Sequence, residues 1–198
     1  MCSAAAHLHP QEIEARADTV LGAVPDFIWD GERLPVPVED IVDSCFGLLV
    51  RDVEDMCTAP VPGGLSSEEW ISGLLLPAHG EIWVNAEDGR RWPPRRRFTI
   101  GHELGHWVLH RTGQQTLFCR AGNVDPGDPA LAELPRPESS RPPAEEEADG
   151  FSAALLMPMS LIERHREDCR DDLAELCRRF ACSEKAMRRR LETAPSGS

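Results

Sequence analysis

One stretch of the sequence decides the fold: Phe98-Thr99-Ile100-Gly101-His102-Glu103-Leu104-Gly105-His106-Trp107-Val108-Leu109-His110. Within it, His102-Glu103-x-x-His106 has the spacing typical of a zinc-binding helix. Side chains four residues apart lie on one helix face, so His102 and His106 can face one metal ion together. Glu103 is one residue further round, where its carboxylate reaches a water on the metal without ligating the metal. The alternative is an amphipathic core helix that carries two histidines and no metal.

A third ligand must come from elsewhere, and His110 is the nearest candidate. It lies eight residues after His102, roughly 12 Å along the axis of a helix that rises 1.5 Å per residue. One ion bound to His102 and His106 cannot also reach it. We therefore expect His110 to be structural or to lie at the rim of the site.

A second predicted helix, over residues 144–157, offers carboxylates instead. Glu145 is the first choice for the third ligand, because Asp149 then follows four residues later on the same face. Asp149 could accept the free ring N–H of a ligating histidine and fix its tautomer. Glu146 and Glu147 remain open on the sequence alone. The alternative is that these acids are a solvated helix start, which the helix dipole favours.

The remaining pattern predicts an α+β fold that is mainly helical. We expect helices over 11–24, 38–45, 95–110, 144–157, 160–168, 171–180 and 183–192, and strands over 47–53, 70–76 and 81–85. Three short strands so close in sequence suggest a small antiparallel sheet. Gly101 and Gly105 each cost the central helix about 1 kcal/mol relative to alanine. Close approach of a neighbouring element at both positions would compensate.

Charge, hydrophobicity and cysteine pattern exclude several classes of function. The net charge of −13 opposes general affinity for nucleic acid. The last two predicted helices resemble a helix-turn-helix, yet helical hairpins are common packing units, so we do not expect direct DNA contact. No apolar run is long enough to span a bilayer, and no secretion signal is evident. Seven scattered cysteines without a C-x-x-C pair are typical of reduced thiols, so we expect a cytoplasmic protein with no membrane partner.

Two motifs together resemble the ImmA/IrrE family of bacterial metallopeptidases. The first is Arg97-Phe98-Thr99-Ile100-Gly101-His102-Glu103-Leu104-Gly105-His106 with Leu109-His110, and the second is Glu145-x-x-Ala148-Asp149-x-Phe151-x-Ala153-x-Leu155-Leu156-Met157-Pro158. The similarity extends over most of residues 11–193. It implies a zincin-like fold, Zn²⁺ held by His102, His106 and Glu145, and Glu103 as the general base. Family members commonly cleave a helix-turn-helix repressor and release transcription, so a repressor is the expected protein substrate.

The resemblance also sets the expected organisation. A metallopeptidase domain would cover 11–158, a C-terminal helical subdomain 159–193, and flexible termini 1–10 and 194–198. Within the domain, the Pro-rich residues 112–143 depart from the family pattern and predict a flexible insertion without regular structure. Cys119 lies in it, and a thiolate there could occupy the open zinc position.

Zinc peptidases of this architecture bind substrate as a strand added to a sheet edge. We expect residues 81–85 to be that edge, with Asn85 contacting substrate. An alternative function is a non-proteolytic regulator that binds a partner protein or DNA through its C-terminal helices.

Overall fold

A computed structural model describes residues 7–60, 71–110, 118–121 and 142–193. Its elements, in chain order, are α1 (Pro10–Gly22), α2 (Val38–Phe46), β1 (Leu49–Val53), a 3-10 turn (Met56–Thr58), β2 (Ile71–Leu76), β3 (Glu81–Asn85), α3 (Ala86–Arg91), α4 (Pro93–His110), β4 (Phe118–Ala121), α5 (Pro143–Leu156), α6 (Met159–Asp168), α7 (Leu173–Phe180) and α8 (Glu184–Thr193). The predicted helices and strands are confirmed to within a few residues, and the fold is α+β. The sequence did not predict α3 or β4. No helix in the described ranges has both the length and the apolar character needed to cross a membrane.

The sheet is mixed, with strand order β1-β3-β2-β4. β2 and β3 form an antiparallel hairpin whose turn, over residues 77–80, contains Gly80 at φ +64°. β1 pairs with β3 in parallel, with Leu49 opposite Glu81 and Val53 opposite Asn85. The prediction of a three-stranded, purely antiparallel sheet is therefore wrong. The turn residues specified the β2–β3 hairpin. The partner of β1 could not be predicted in the same way, because 17 residues (54–70) separate β1 from β2 and no local pattern says where so long a connection leads.

β4 lies inside the segment that we expected to have no regular structure. It pairs antiparallel with β2, with a register shift between Ile71 and Gly73. That part of the prediction is wrong, because a short strand can form wherever a neighbouring strand offers free backbone groups. Residues 111–117 and 122–141 lie outside the described residues, so the expected flexibility of this insertion, like the hypothesis about the Cys119 thiol, stays a prediction.

Helix α4 lies between the sheet and α5 and supplies the centre of the molecule. Every residue from Thr99 to His106 is buried. A Cβ added at Gly105 would lie 3.1 Å from both Cα and O of Ala148, and one added at Gly101 would lie 2.6 Å from Oγ of Ser152. The expected close approach at the two glycines is confirmed, and the neighbouring element is α5. Their cost in helix propensity is offset by the contact that their missing side chains allow.

The C-terminal helices pack into the same core. Leu176, Phe180 and Met187 belong to the apolar cluster that contains Ile100 and Leu104 of α4. Arg190 of α8 is buried, donates from Nε to the carbonyl oxygen of Met157 at 3.0 Å, and pairs with the carboxylate of Glu14 on α1. This arginine of the helix-turn-helix-like pair therefore holds helices together rather than facing solvent.

The basic run before the motif is also engaged within the chain. Arg91 pairs with Glu87 of its own helix, α3. The other arginines pair with more distant acids or carbonyls: Arg90 with Glu54, Arg95 with Asp88, Arg96 with Glu39 and Asp52, and Arg97 with the carbonyl of Val36. Burial alone would lower the pKa of Arg96, but its two carboxylate partners outweigh burial and raise it. These contacts anchor the start of α4 to α2, β1 and α3, and leave little unpaired cationic surface there for nucleic acid.

Candidate metal centre

The two motif histidines lie side by side on the face of α4 that meets α5. Nε2 of His102 and Nε2 of His106 are 3.0 Å apart, and both side chains are fully buried. The spacing of four residues produces this juxtaposition, since the two positions differ by only about 40° around a helix of 3.6 residues per turn.

Glu145, in the first turn of α5, completes a group of three donors. Its Oε2 is 3.3 Å from Nε2 of His102, and its Oε1 is 3.2 Å from Nε2 of His106. Ligands 2.0–2.1 Å from a tetrahedral Zn²⁺ are about 3.3 Å from one another. The distance between the two ring nitrogens, and the distance from each of them to its nearer Glu145 oxygen, are close to that spacing. Among the described residues, these three side chains form the group of histidines, cysteines and acids close enough to hold a metal ion.

Asp149 lies one turn after Glu145 and contacts the other nitrogen of His102. Its Oδ1 is 2.9 Å from Nδ1 of that ring. A proton on Nδ1 donated to the carboxylate leaves the lone pair of Nε2 directed toward His106 and Glu145. This partner fixes the tautomer that a metal ligand needs and makes the nitrogen more basic.

Burial and neighbouring charge favour the ligating protonation states. Burial alone would raise the pKa of Glu145, but its contacts with His102 and His106 outweigh burial and hold that pKa well below its usual range. Burial also lowers the pKa of His106, more strongly than Glu145 raises it. An ionised carboxylate beside a neutral imidazole is the state that binds a cation without first losing protons.

Glu103 lies next to the histidines on the sheet side of α4 and is completely buried. A Cβ added at Gly73 of β2 would lie 3.0 Å from Oε1 of Glu103 and 2.2 Å from Cγ2 of Thr99. The β2 backbone thus packs directly against the carboxylate. Gly73 is not among the residues predicted from the sequence, although an isolated glycine inside a strand is a signal of close approach.

The other candidate residues lie elsewhere. Glu146 is exposed, and Glu147 is buried against the N-terminal segment rather than beside His102 and His106. Nε2 of His110 is 3.6 Å from Oε2 of Glu147, one turn beyond His106, which agrees with its exclusion as a ligand. The structure therefore brings Glu145, and neither of its two acidic neighbours, to the histidine pair.

The Asn85 side chain makes hydrogen bonds that stabilise the fold. Its Oδ1 accepts hydrogen bonds from the backbone N–H groups of Glu87 and Asp88 and caps α3, while Nδ2 donates to the carbonyl of Ile71. Its strand, β3, is paired on both sides, so the prediction that residues 81–85 form a sheet edge is wrong. A substrate contact by Asn85 stays a prediction, and its side chain already makes three hydrogen bonds within the fold.

A helix with a His-Glu-x-x-His motif, packed on a sheet and completed by a glutamate from a second helix, defines a metallopeptidase-type centre. The model of the Peptidase_M78 family, described as the IrrE N-terminal-like domain, matches residues 72–192. The match covers more than half of the chain, and the protein belongs to this metallopeptidase-type family. The resemblance found in the sequence is confirmed.

Comparison with solved structures gives a transcriptional regulator of Mycobacterium tuberculosis with 16% sequence identity and a TM-score of 0.49. The similarity covers 94% of this chain and 52% of that one, so this chain spans about half the length of that relative. Among curated proteins, none matches this chain.

Proposed function

We propose that the protein is a zinc-dependent endopeptidase in which His102, His106 and Glu145 hold the metal and Glu103 is the general base. The observation that carries the proposal is the spacing of the three donor groups. The two ring nitrogens are 3.0 Å apart, each lies 3.2–3.3 Å from one oxygen of Glu145, and the buried carboxylate of Glu103 is on the same helix as the histidines. Two neutral nitrogens and one carboxylate are a donor set that suits Zn²⁺ and leaves one coordination position open.

Zinc bound there would supply a Lewis acid that polarises the peptide carbonyl and makes water more acidic. Glu103 accepts the proton of the attacking water and later delivers it to the amine that leaves, because one carboxylate can act as base and then as acid. Burial between α4 and β2 restricts the rotamers of Glu103, and the Asp149 contact orients His102. Both features hold reacting groups in place before substrate arrives.

The substrate would bind along an outer strand of the sheet. β3 is central, so it cannot be that strand. The outer strand nearer to the His-Glu-x-x-His motif is β4, which pairs with β2, and the backbone of β2 packs on Glu103. A peptide added there would be held by main-chain hydrogen bonds, which favour an extended segment of protein substrate.

The proposed substrate is a cytoplasmic helix-turn-helix repressor. Support comes from the family to which the chain belongs and from the resemblance of both motifs to peptidases of that kind. The test is incubation with the product of the adjacent gene, with and without a chelator, followed by mass spectrometry. One new pair of fragments that disappears with chelator is expected. An intact candidate in both samples would remove it as the substrate.

Glu103→Gln is the decisive variant for the mechanism. Gln is nearly isosteric but cannot accept the proton, and general-base catalysis contributes about 10²–10⁴-fold, so cleavage should fall by at least about a hundredfold. Metal content and the thermal unfolding midpoint of the variant report whether the site is still built. Cleavage at the wild-type rate would show that Glu103 is not the base.

Metal stoichiometry tests the ligands separately. The wild-type protein should contain one zinc per chain by elemental analysis, and His106→Ala or Glu145→Ala should each lose it. Glu146→Gln is the matched control, because Glu146 is an exposed acid in the same turn as Glu145. Loss of metal in Glu146→Gln, with retention in Glu145→Ala, would reassign the third ligand.

The alternative function is a regulator that binds a partner or DNA without cleaving it. Arg190 is buried, whereas Lys185, Arg188 and Arg189 are exposed on α8, and Arg188 pairs with Glu184 of its own helix. Salt-dependent DNA binding that persists in Glu103→Gln would favour this alternative.

A further inference from the structure

The third metal ligand of the proposed centre lies in a helix start that has no side-chain cap. Helix α5 begins at Pro143, its N-cap residue is Pro142, and no cap side chain accepts from the first turn. The backbone N–H groups of Glu145 and Glu146 both rely on the carbonyl of Pro142, at 2.9 and 3.4 Å. Uncapped first turns fray readily, because their donors have few partners. Contacts made further along α5 can therefore help to hold Glu145 at the histidine pair.

Glu147, two residues after Glu145, makes such a contact. It is buried, with 5% of its surface exposed. Its Oε1 accepts a hydrogen bond from the backbone N–H of Leu8 at 2.9 Å and lies 2.6 Å from Nδ1 of His7. Its Oε2 faces His110 at the end of α4. One carboxylate, just after the first turn of α5, therefore joins this end of the helix to the N-terminal segment and to the last turn of the motif helix.

The N-terminal segment is itself anchored. The backbone N–H of His9 donates to Oε2 of Glu12 at 2.8 Å in the capping box of α1, and Leu8 packs against the main core. Residues 7–10 make specific contacts, although the sequence predicted a flexible terminus over 1–10. The segment is thus a fixed point to which Glu147 can tie α5.

We propose that Glu147, tied to His7 and Leu8, is a positioning residue that holds the first turn of α5 and thereby Glu145 at the metal centre. The N-terminal segment then sets the metal affinity of a site to which it contributes no ligand. This inference rests on the proposed metal centre, and its structural part can be measured without metal.

The first experiment is hydrogen–deuterium exchange of the metal-free full-length protein. In Glu147→Gln, peptides that cover residues 142–148 should exchange faster, while peptides from α7 and α8 should be unchanged. Glu146→Gln is the matched control, because it removes the same charge from the neighbouring residue, which is exposed. Equal protection of residues 142–148 in Glu147→Gln and wild type would overturn the proposal whether or not the protein binds zinc.

The second experiment is a competitive zinc titration against a chromophoric chelator. Replacing a group that supports a metal ligand typically costs 10–100-fold in affinity, and Glu147 acts through a helix turn, so about tenfold weaker binding is expected in Glu147→Gln. Glu14→Gln, which weakens the pair between α1 and Arg190 of α8 without touching Glu147, should lower thermal stability without changing zinc affinity. Equal losses of affinity in Glu14→Gln and Glu147→Gln would reduce Glu147 to a general structural role.

His7→Ala keeps the proposal testable if Glu147→Gln does not fold. The His7 side chain is 61% exposed, so its removal leaves the core intact, and it should weaken zinc binding in the same direction by a smaller factor. Unchanged zinc affinity and unchanged hydrogen–deuterium exchange in His7→Ala would show that His7 does not help Glu147 to hold α5. If the wild-type protein binds no zinc but residues 142–148 still exchange faster in Glu147→Gln than in wild type, the metal centre is refuted. The role of the contact between α5 and the N-terminal segment then still holds.

Discussion

The contact between β2 and helix α4 gives a sharp prediction. In Gly73→Ala the new Cβ would lie 2.2 Å from Cγ2 of Thr99, 3.0 Å from Oε1 of Glu103 and 3.5 Å from the carbonyl oxygen of Trp83. Thr99 is 1% exposed and β-branched, so close packing and a stiff χ1 leave its methyl group little room to move. The Glu103 carboxylate is at the end of a longer side chain, so it is the group that can move away from the new Cβ.

The magnitude follows from two opposing terms. Overpacking a core costs about 1–3 kcal/mol, and a 2.2 Å approach is in the upper part of that range. Replacing glycine inside a strand returns about 0.5–1 kcal/mol of chain entropy. The expected net loss in the free energy of unfolding is about 2 kcal/mol. Thr99→Ser, which deletes the opposing methyl group, should cost about 0.8 kcal/mol by itself.

The assay is urea denaturation of the four metal-free proteins: wild type, the two single variants and the double variant. Because Thr99→Ser removes the atom that collides with the new Cβ, the double variant should be about 1–2 kcal/mol more stable than the sum of the single effects predicts. Cleavage should not recover with stability, since the new Cβ still crowds Glu103. A shift of about 1 Å in a catalytic group costs about a hundredfold in rate. Additive stability effects would show that β2 does not approach α4 at Gly73 as closely as described.

Two further predictions concern the interface between α4 and α5. Asp149→Asn should retain the fold but weaken zinc binding by about 10–100-fold, because Asn holds the His102 tautomer less firmly; unchanged affinity in a chelator titration would contradict that role for Asp149. Gly101→Ala should lower the thermal midpoint, since its Cβ would lie 2.6 Å from Oγ of Ser152, and adding Ser152→Ala should restore part of the loss. Gly22→Ala is the control, as nothing lies within 4 Å of its added Cβ, and it should stabilise the protein by up to about 1 kcal/mol. A stabilising Gly101→Ala would mean that the two helices are not in contact there.

The parts that could be predicted from sequence are those in which local spacing settles the geometry. The interval between His102 and His106 places both rings on one helix face, and the interval between Glu145 and Asp149 does the same on α5. Gly101 and Gly105 indicated a close neighbour, because glycine inside a helix needs compensation. The sequence thus determined the helices other than α3, the fold class and which side chains could meet.

Other features depended on contacts between residues distant in the chain. β1 pairs in parallel with β3, and β4 adds to β2, so the predicted edge strand is central. Periodicity gives the faces of a strand but not its neighbours, which depend on how the intervening chain closes. For the same reason no local pattern joins Glu147 to His7, 140 residues away. Tertiary structure alone brought Gly73 against Glu103 and placed Glu145, rather than Glu146 or Glu147, beside the histidines, because packing of α5 on α4 selects which face of its first turn points inward.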